Sequence, residues 1–303
     1  MTDIFDFTSC TLCPKECRVD RTCGKLGFCG VSDKIHIARA SLHAWEEPCI
    51  SGDKGSGTVF FTGCNLGCVF CQNSEISHKN KGYEVSVERL CEIFFELKGQ
   101  GAHNINLVTA GHYLPVVLEA VKSAKNQKID IPFVYNSSGF EKAESLAFAD
   151  GLIDIYLPDF KYLKKDRAKR YSGAFDYPEV AMSAIDEMVR QRPKCVFDEE
   201  GILKSGVIVR HLLLPGGLLE SKRIIKYLYE RYASNIFISI MSQYTPFGEL
   251  KDFPELKNKV RTADYDKLVD YAIKIGVTNA FIQDGSSAKE SFIPDFSGQG
   301  VNR

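Results

Sequence analysis

Residues 57–73 read GTVFFTGCNLGCVFCQN. A β-branched and aromatic run, TVFF (58–61), has the composition of a buried strand, and three cysteines follow it within eight residues. Cys64, Cys68 and Cys71 form a C-x3-C-x2-C loop, one thiol short of the four that close a structural zinc site or an iron–sulfur cluster. Gly63 and Gly67 let the backbone curl so that the three thiols converge on one face. No histidine or cysteine nearby offers zinc a fourth ligand at short range.

Outward from this stretch, strand-like runs alternate with helical patterns. After TVFF come INLVT (105–109), IPFVYN (131–136), LIDIYL (152–157), GVIVRHLLL (206–214), NIFISIM (235–241) and NAFIQ (279–283). Between them lie amphipathic segments such as SVERLCEIFFELKG and LPVVLEAVKSAKNQ, the second with Pro115 in its first turn. Repeated strand–helix units predict an α/β fold with a parallel sheet. Six or seven units fall short of eight, so the expected architecture is a partial, open (β/α)6-type TIM-like barrel.

The polar residues gather just after these strands. The cysteine loop follows the first, Thr109-Ala110-Gly111-His112 the second and Asn136-Ser137-Ser138-Gly139 the third. Asp159 and Lys161 follow the fourth, Arg210 and His211 lie within the fifth, Ser242-Gln243-Tyr244 follows the sixth and Gln283-Asp284 the seventh. The carboxyl edge of a parallel sheet is where sites are built, so these turns predict one active site on one rim. Charges are rarely buried without a partner, which marks Asp159, Lys161 and Arg210 as ligand-facing, with an internal ion network as the alternative. His211 alternates to the opposite face of its strand from Arg210.

The whole chain has 303 residues, 44% hydrophobic and 25% charged, with a formal net charge of -1. That balance gives no electrostatic footprint for nucleic acid or for anionic lipid, and no apolar run reaches the ~20 residues that span a bilayer. The N-terminus lacks a basic-then-apolar signal, so the expected location is the cytoplasm. Eleven cysteines in a reducing compartment point to metal rather than disulfides. Cys49, Cys91 and Cys195 stand alone and read as small core residues.

Five cysteines crowd residues 10–29, in CTLCPKECRVDRTCGKLGFC. C-x2-C-x3-C with a distant fourth thiol closes a four-ligand site, with Cys10, Cys13, Cys17 and Cys29 as the preferred set and Cys23 as the substitute. The second close pair of a zinc knuckle is missing, and Pro14 follows a cysteine, so iron–sulfur is preferred over zinc. Residues 1–50 are read as a metal-stapled unit, 51–285 as the barrel, and 286–303, without periodicity, as a surface-lying or mobile tail.

The C-x3-C-x-aromatic-C loop, with Phe70 as the aromatic, resembles the hallmark of radical S-adenosylmethionine (SAM) enzymes. GCNLGCVFCQN, VYNSSGF, YLPDFKY and VRHLLLPGG together are most similar to the branch of the pyruvate formate-lyase activating enzyme. The resemblance implies a [4Fe–4S] cluster on Cys64, Cys68 and Cys71, with SAM on the free iron and a 5′-deoxyadenosyl radical as product. It further implies a protein or peptide substrate and an external flavodoxin- or ferredoxin-type electron donor. Matching position implies SAM contacts for Phe70, for Thr109, Gly111 and His112, for Asn136 and Ser137, and for Asp159, Lys161 and Arg210. Two departures stand out: His112 follows where that branch has a glutamate, and Asn136 replaces an aspartate. A modifying enzyme for a peptide or small molecule, using the N-terminal centre as auxiliary redox site, and a non-catalytic electron-transfer protein are the alternatives.

Overall fold

A computed structural model describes residues 6–79, 81–248, 250–282 and 294–301. The strands are β1 (Ile35–His43), β2 (Ser56–Phe61), β3 (Tyr83–Val85), β4 (Ile105–Val108), β5 (Phe133–Ser137), β6 (Ile155–Pro158), β7 (Val196–Phe197), β8 (Leu203–Leu212), β9 (Phe237–Met241) and β10 (Ala280–Ile282). They build one sheet in the order β10-β9-β8-β6-β5-β4-β2-β1-β3, with β7 added alongside β8. From β2 to β10 along that path every pairing is parallel, which gives seven parallel strands. The path ends at β3 on one side and β10 on the other, so the barrel is open as the sequence predicts.

The seven parallel strands coincide with the seven runs read from the sequence, shifted by a few residues at their ends. β2, β4, β5 and β6 are buried along their whole length, as strands covered on both faces must be. The helices at Val87–Gly99, Leu114–Asn126, Tyr177–Gln191, Leu218–Tyr232 and Thr262–Lys274 supply the cover, each turning one apolar stripe inward. Val87–Gly99 starts under Ser86, whose side chain accepts the Arg89 N–H.

β1 lies within the stretch read as the N-terminal unit, yet it pairs antiparallel with both β2 and β3. The irregular unit thus ends before Ile35 and the sheet begins there. A register shift between Ile37 and Arg39 breaks the two-residue alternation of β1, which hides this strand in the sequence. Described tail residues lie against the same strand: Ala40 donates to the Gln299 carbonyl (2.9 Å) and Gly298 to that of Ala38 (3.0 Å). Phe296 packs edge-on against Phe60, in one apolar cluster with Ile76 and Val108. Gln283 and Asp284, expected at the last rim turn, lie outside the described residues.

Candidate functional site

The loop after β2 is held from several sides. Gly63 adopts φ +84°, and a Cβ there would meet the Cys29 carbonyl oxygen at 2.6 Å and Val31 Cγ1 at 2.8 Å. Its neighbour Cys64 donates its N–H to that same carbonyl (3.2 Å). Gly67 and Val69 donate to the carbonyls of Ser172 (3.1 Å) and Tyr171 (2.9 Å), and the buried Asn65 amide donates to Phe140 (2.7 Å). These bonds aim Cys64, Cys68 and Cys71 into one cavity of ≈ 170 Å³. The thiols already have partners: Ser172 Oγ at 2.9 Å from Cys68, Ser77 Oγ at 3.3 Å from Cys71, and the Leu66 N–H at 3.4 Å from Cys64.

Opposite the thiols stands a charged wall. Thr109, Asn136, Ser137, Ser138, Asp159, Lys161 and Arg210, from the ends of four neighbouring strands, line the same cavity. Asp159 is shared: Lys161 Nζ lies 2.5 Å from one oxygen and Arg210 Nε donates to the other at 2.9 Å. Arg210 also donates to Asn136 Oδ1 (2.7 Å) and to Glu46 Oε2 (3.2 Å). Glu46 in turn accepts from the amides of Asn106 and Asn136, both at 3.2 Å. Two cations and two carboxylates thus form one linked network that reaches the cavity through Asp159, Lys161 and Arg210.

The electrostatics follow from burial and pairing. Burial pushes Asp159 up, but Arg210 and Lys161 outweigh it and hold the carboxyl below its ordinary value. Lys161 loses by burial and gains more from Asp159 and then Cys68, so its ammonium is held charged. Burial lifts the Glu46 carboxyl, opposed by Arg210. Burial also lifts the Cys68 thiol to about 11, with Lys161 pulling back. An ammonium facing thiols suits thiolates bound to metal, which carry the charge that free thiols here do not.

Thr109 sits at φ +59°, a left-handed conformation unusual for a β-branched residue, fixed by its N–H to the Asn136 carbonyl (2.8 Å). It is strained where the backbone faces the cavity.

Three positions picked from the sequence do not line this cavity. Phe70 is buried against Tyr244, ring centroids 5.9 Å apart. Gly111 lies under the carboxylate of Glu141, which leaves no room for a side chain. His112 is buried behind the loop with Nε2 at 2.6 Å from the Thr62 carbonyl, and burial drives its pKa down to about 3. A neutral ring donating to a backbone carbonyl is a packing residue. His211 likewise turns away from the rim, between the Phe160 carbonyl and Ser221 Oγ, both at 2.8 Å.

Sequence reading missed Glu46. It sits past β1, and two adjacent glutamates ordinarily read as a solvated pair. A larger cavity, ≈ 670 Å³, opens between Pro48–Lys54 and Phe197, Phe237 and Phe281, but none of the loop thiols reaches it.

Residues 58–199 match the Radical SAM superfamily. The chain's likeness to radical SAM domains lies in that segment. It spans the loop thiols, Asp159 and Lys161, while Arg210 and Glu46 come from outside the matched segment. An uncharacterized protein of Methanocaldococcus jannaschii is 27% identical over 275 residues, covering 88% of this chain and 75% of the relative. Among solved structures, HydG, a maturase of the [FeFe]-hydrogenase, superposes with TM-score 0.50 at 15% identity, covering 78% of this chain and 53% of HydG. Streptococcus suis SuiB bound to its precursor peptide SuiA gives TM-score 0.47 at 14% identity, covering 73% of this chain and 46% of SuiB. The chain thus spans about half the length of these solved structures, and the HydG likeness concerns the fold alone. Among the described residues no helix is long and apolar enough to cross a membrane.

A radical SAM domain implies a [4Fe–4S] cluster and SAM. The donor set fits: three thiols share one cavity, while the carboxylate among its lining residues, Asp159, is already engaged by Lys161 and Arg210. A cuboidal cluster on three cysteines keeps one iron without a protein ligand.

Proposed function

We propose that this protein is a radical SAM enzyme that acts on a protein or peptide, with activation of a glycyl radical enzyme as its specific form. The observation that supports it is the three-thiol cavity lined also by the paired charges of Asp159, Lys161 and Arg210. Cys64, Cys68 and Cys71 would hold the cluster, which would supply the electron for reductive cleavage of SAM to methionine and a 5′-deoxyadenosyl radical able to take hydrogen from the substrate. The chain's own residues do the positioning. Lys161, charged and beside Cys68, offsets both thiolate charge and the SAM carboxylate. Asn136, whose amide keeps one N–H beyond its bonds with Glu46 and Arg210, and Ser137 beside it at the end of β5 offer an N–H and a hydroxyl to the ribose and amino groups. Arg210 and Asp159 hold Lys161 in place rather than touching SAM themselves, since their polar atoms are engaged with each other, with Asn136 and with Glu46.

A polypeptide substrate is supported by the open barrel, whose unjoined edges leave a way in for a loop. The test is anaerobic reconstitution of the full chain with iron and sulfide, reduction, and incubation with SAM and candidate glycyl radical enzymes. Formation of 5′-deoxyadenosine together with a glycyl radical signal supports the reading. SAM cleavage with no transfer to any polypeptide removes its substrate half, and a Lys161→Ala chain that cleaves SAM as fast as wild type removes the role given to Lys161.

A further inference from the structure

We propose that Cys10, Cys13, Cys17 and Cys29 hold a second [4Fe–4S] cluster, seated directly against the SAM-site loop. Cys10, Cys13 and Cys29 are buried and Cys17 is half-buried, whereas Cys23 is exposed with its thiol turned to the Asp20 carbonyl (3.3 Å). The structure therefore picks out four of the five thiols. Cys13 lies within electrostatic reach of Cys29 and Cys10, and Cys29 within reach of Cys10 and Cys17. Gly27 is the point where two of them meet: a Cβ there would lie 3.3 Å from Cys29 Sγ and 3.5 Å from Cys17 Sγ.

An independent observation shows that this knot awaits an anion. Arg21 is 1% exposed, yet among the described residues its guanidinium meets no carboxylate. It donates to the carbonyls of Ser32 (2.5 and 3.1 Å) and His112 (2.9 Å), and among the described residues its one hydrogen bond to a side chain goes to Cys10 Sγ at 3.6 Å. The rings of Phe7 and Tyr113 close over it at 4.5 and 6.0 Å. A buried, unpaired cation is strongly unfavourable, so a negative partner belongs beside it. Lys15 is a half-buried cation nearby: it bonds the Gly173 carbonyl (2.7 Å), with Asp176 and then Cys13 and Cys64 in electrostatic reach. Four thiolates around an oxidised [4Fe–4S] core carry about two net negative charges, which give Arg21 the anionic partner it lacks.

A single ion and a cluster ask for different spacings. Four sulfurs around one zinc must all lie about 2.3 Å from it. Among the described residues no three cysteine, histidine or acidic side chains converge in that way. A cuboidal cluster puts each thiolate on a different iron and asks for a wider ring. The position adds a redox role, since the Cys29 carbonyl takes the Cys64 N–H and Arg21 joins Cys10 to the carbonyl of His112. One hydrogen bond separates a ligand of each centre. An electron from a ferredoxin- or flavodoxin-class donor, accepted by the second cluster, has a short path to the first.

The test uses the full chain with Cys64, Cys68 and Cys71 all changed to Ser, reconstituted anaerobically with iron, sulfide and zinc present. That variant has no SAM-site cluster, so its result is independent of the proposed SAM cleavage. The expected outcome is about four irons and four sulfides per chain and a paramagnetic signal on reduction, both lost when Cys13→Ser is added. A chain holding one zinc and no iron, or no metal, overturns the proposal. Should the triple variant misfold, wild type decides: about eight irons support the proposal and about four overturn it. Arg21→Gln is expected to move the reduction potential of this cluster to more negative values, and an unmoved potential refutes the charge-balance argument.

Discussion

The chain gathers thiols in two places and treats them differently. At 64–71 three thiols face a cavity, with a wall of Asp159, Lys161 and Arg210 opposite. At 10–29 Cys17 and Cys29 meet at Gly27, Cys10 and Cys13 lie within electrostatic reach of Cys29, and a buried arginine contacts Cys10. In the first, cations are paired with carboxylates, so the net charge is set before any ligand arrives. In the second, Arg21 has no carboxylate among the described residues, so the charge is set by what the thiols hold. An incomplete ligand set beside a neutralised wall belongs to a site that exchanges its ligand. A complete set beside a cation without a carboxylate belongs to a permanent one.

The sharpest way to break this contrast is Arg210→Met in the metal-free chain. It leaves Glu46 and Asp159 buried without their shared guanidinium, and guanidinium denaturation is expected to show a loss of about 3–5 kcal/mol. A loss below about 1 kcal/mol means that the wall is not a preset network.

A smaller effect comes from the other side of the same strand. Burial drives His211 down to about 4, below its ordinary 6.5, so the unfolded chain takes up the proton first. Stability from the neutral ring is complete above pH 6.5 and is lost as pH falls toward 4. The gap between wild type and His211→Gln, followed by urea denaturation, is expected to narrow by at most about 3 kcal/mol over that window. A gap independent of pH contradicts the assignment.

Gly63→Ala tests the joint between the two thiol regions. A left-handed φ and a Cβ pressed on the Cys29 carbonyl are expected to cost about 2 kcal/mol, measured by urea denaturation of the metal-free chain. A neutral result means that the loop does not rest on the N-terminal knot. Smallest of all is Cys23→Ser. With the thiol exposed, metal content is expected to match wild type and stability to change by less than about 0.5 kcal/mol.

Much of this was legible in the sequence for physical reasons. Seven buried parallel strands announce themselves as short apolar β-branched runs, and three thiols at fixed spacing after the first carry chemistry that few other arrangements need. Asp159, Lys161 and Arg210 were legible because charged residues at strand ends must face something. β1 was hidden by its register shift, and with it Glu46, which closes the network from a loop beyond the strand. Arg21 was hidden because nothing local separates a buried arginine in a cysteine-rich turn from a solvated one. His112 was placed at the site by its neighbours in sequence, whereas its ring bonds the Thr62 carbonyl behind the cysteine loop.

The most direct test of the account is the 5′-deoxyadenosine formed per chain by reduced, reconstituted protein with SAM. Wild type is expected to form it, and the variant with Cys64, Cys68 and Cys71 changed to Ser is expected to form none while keeping its N-terminal iron. Equal yields from the two, or none from a wild type that holds both clusters, would contradict it.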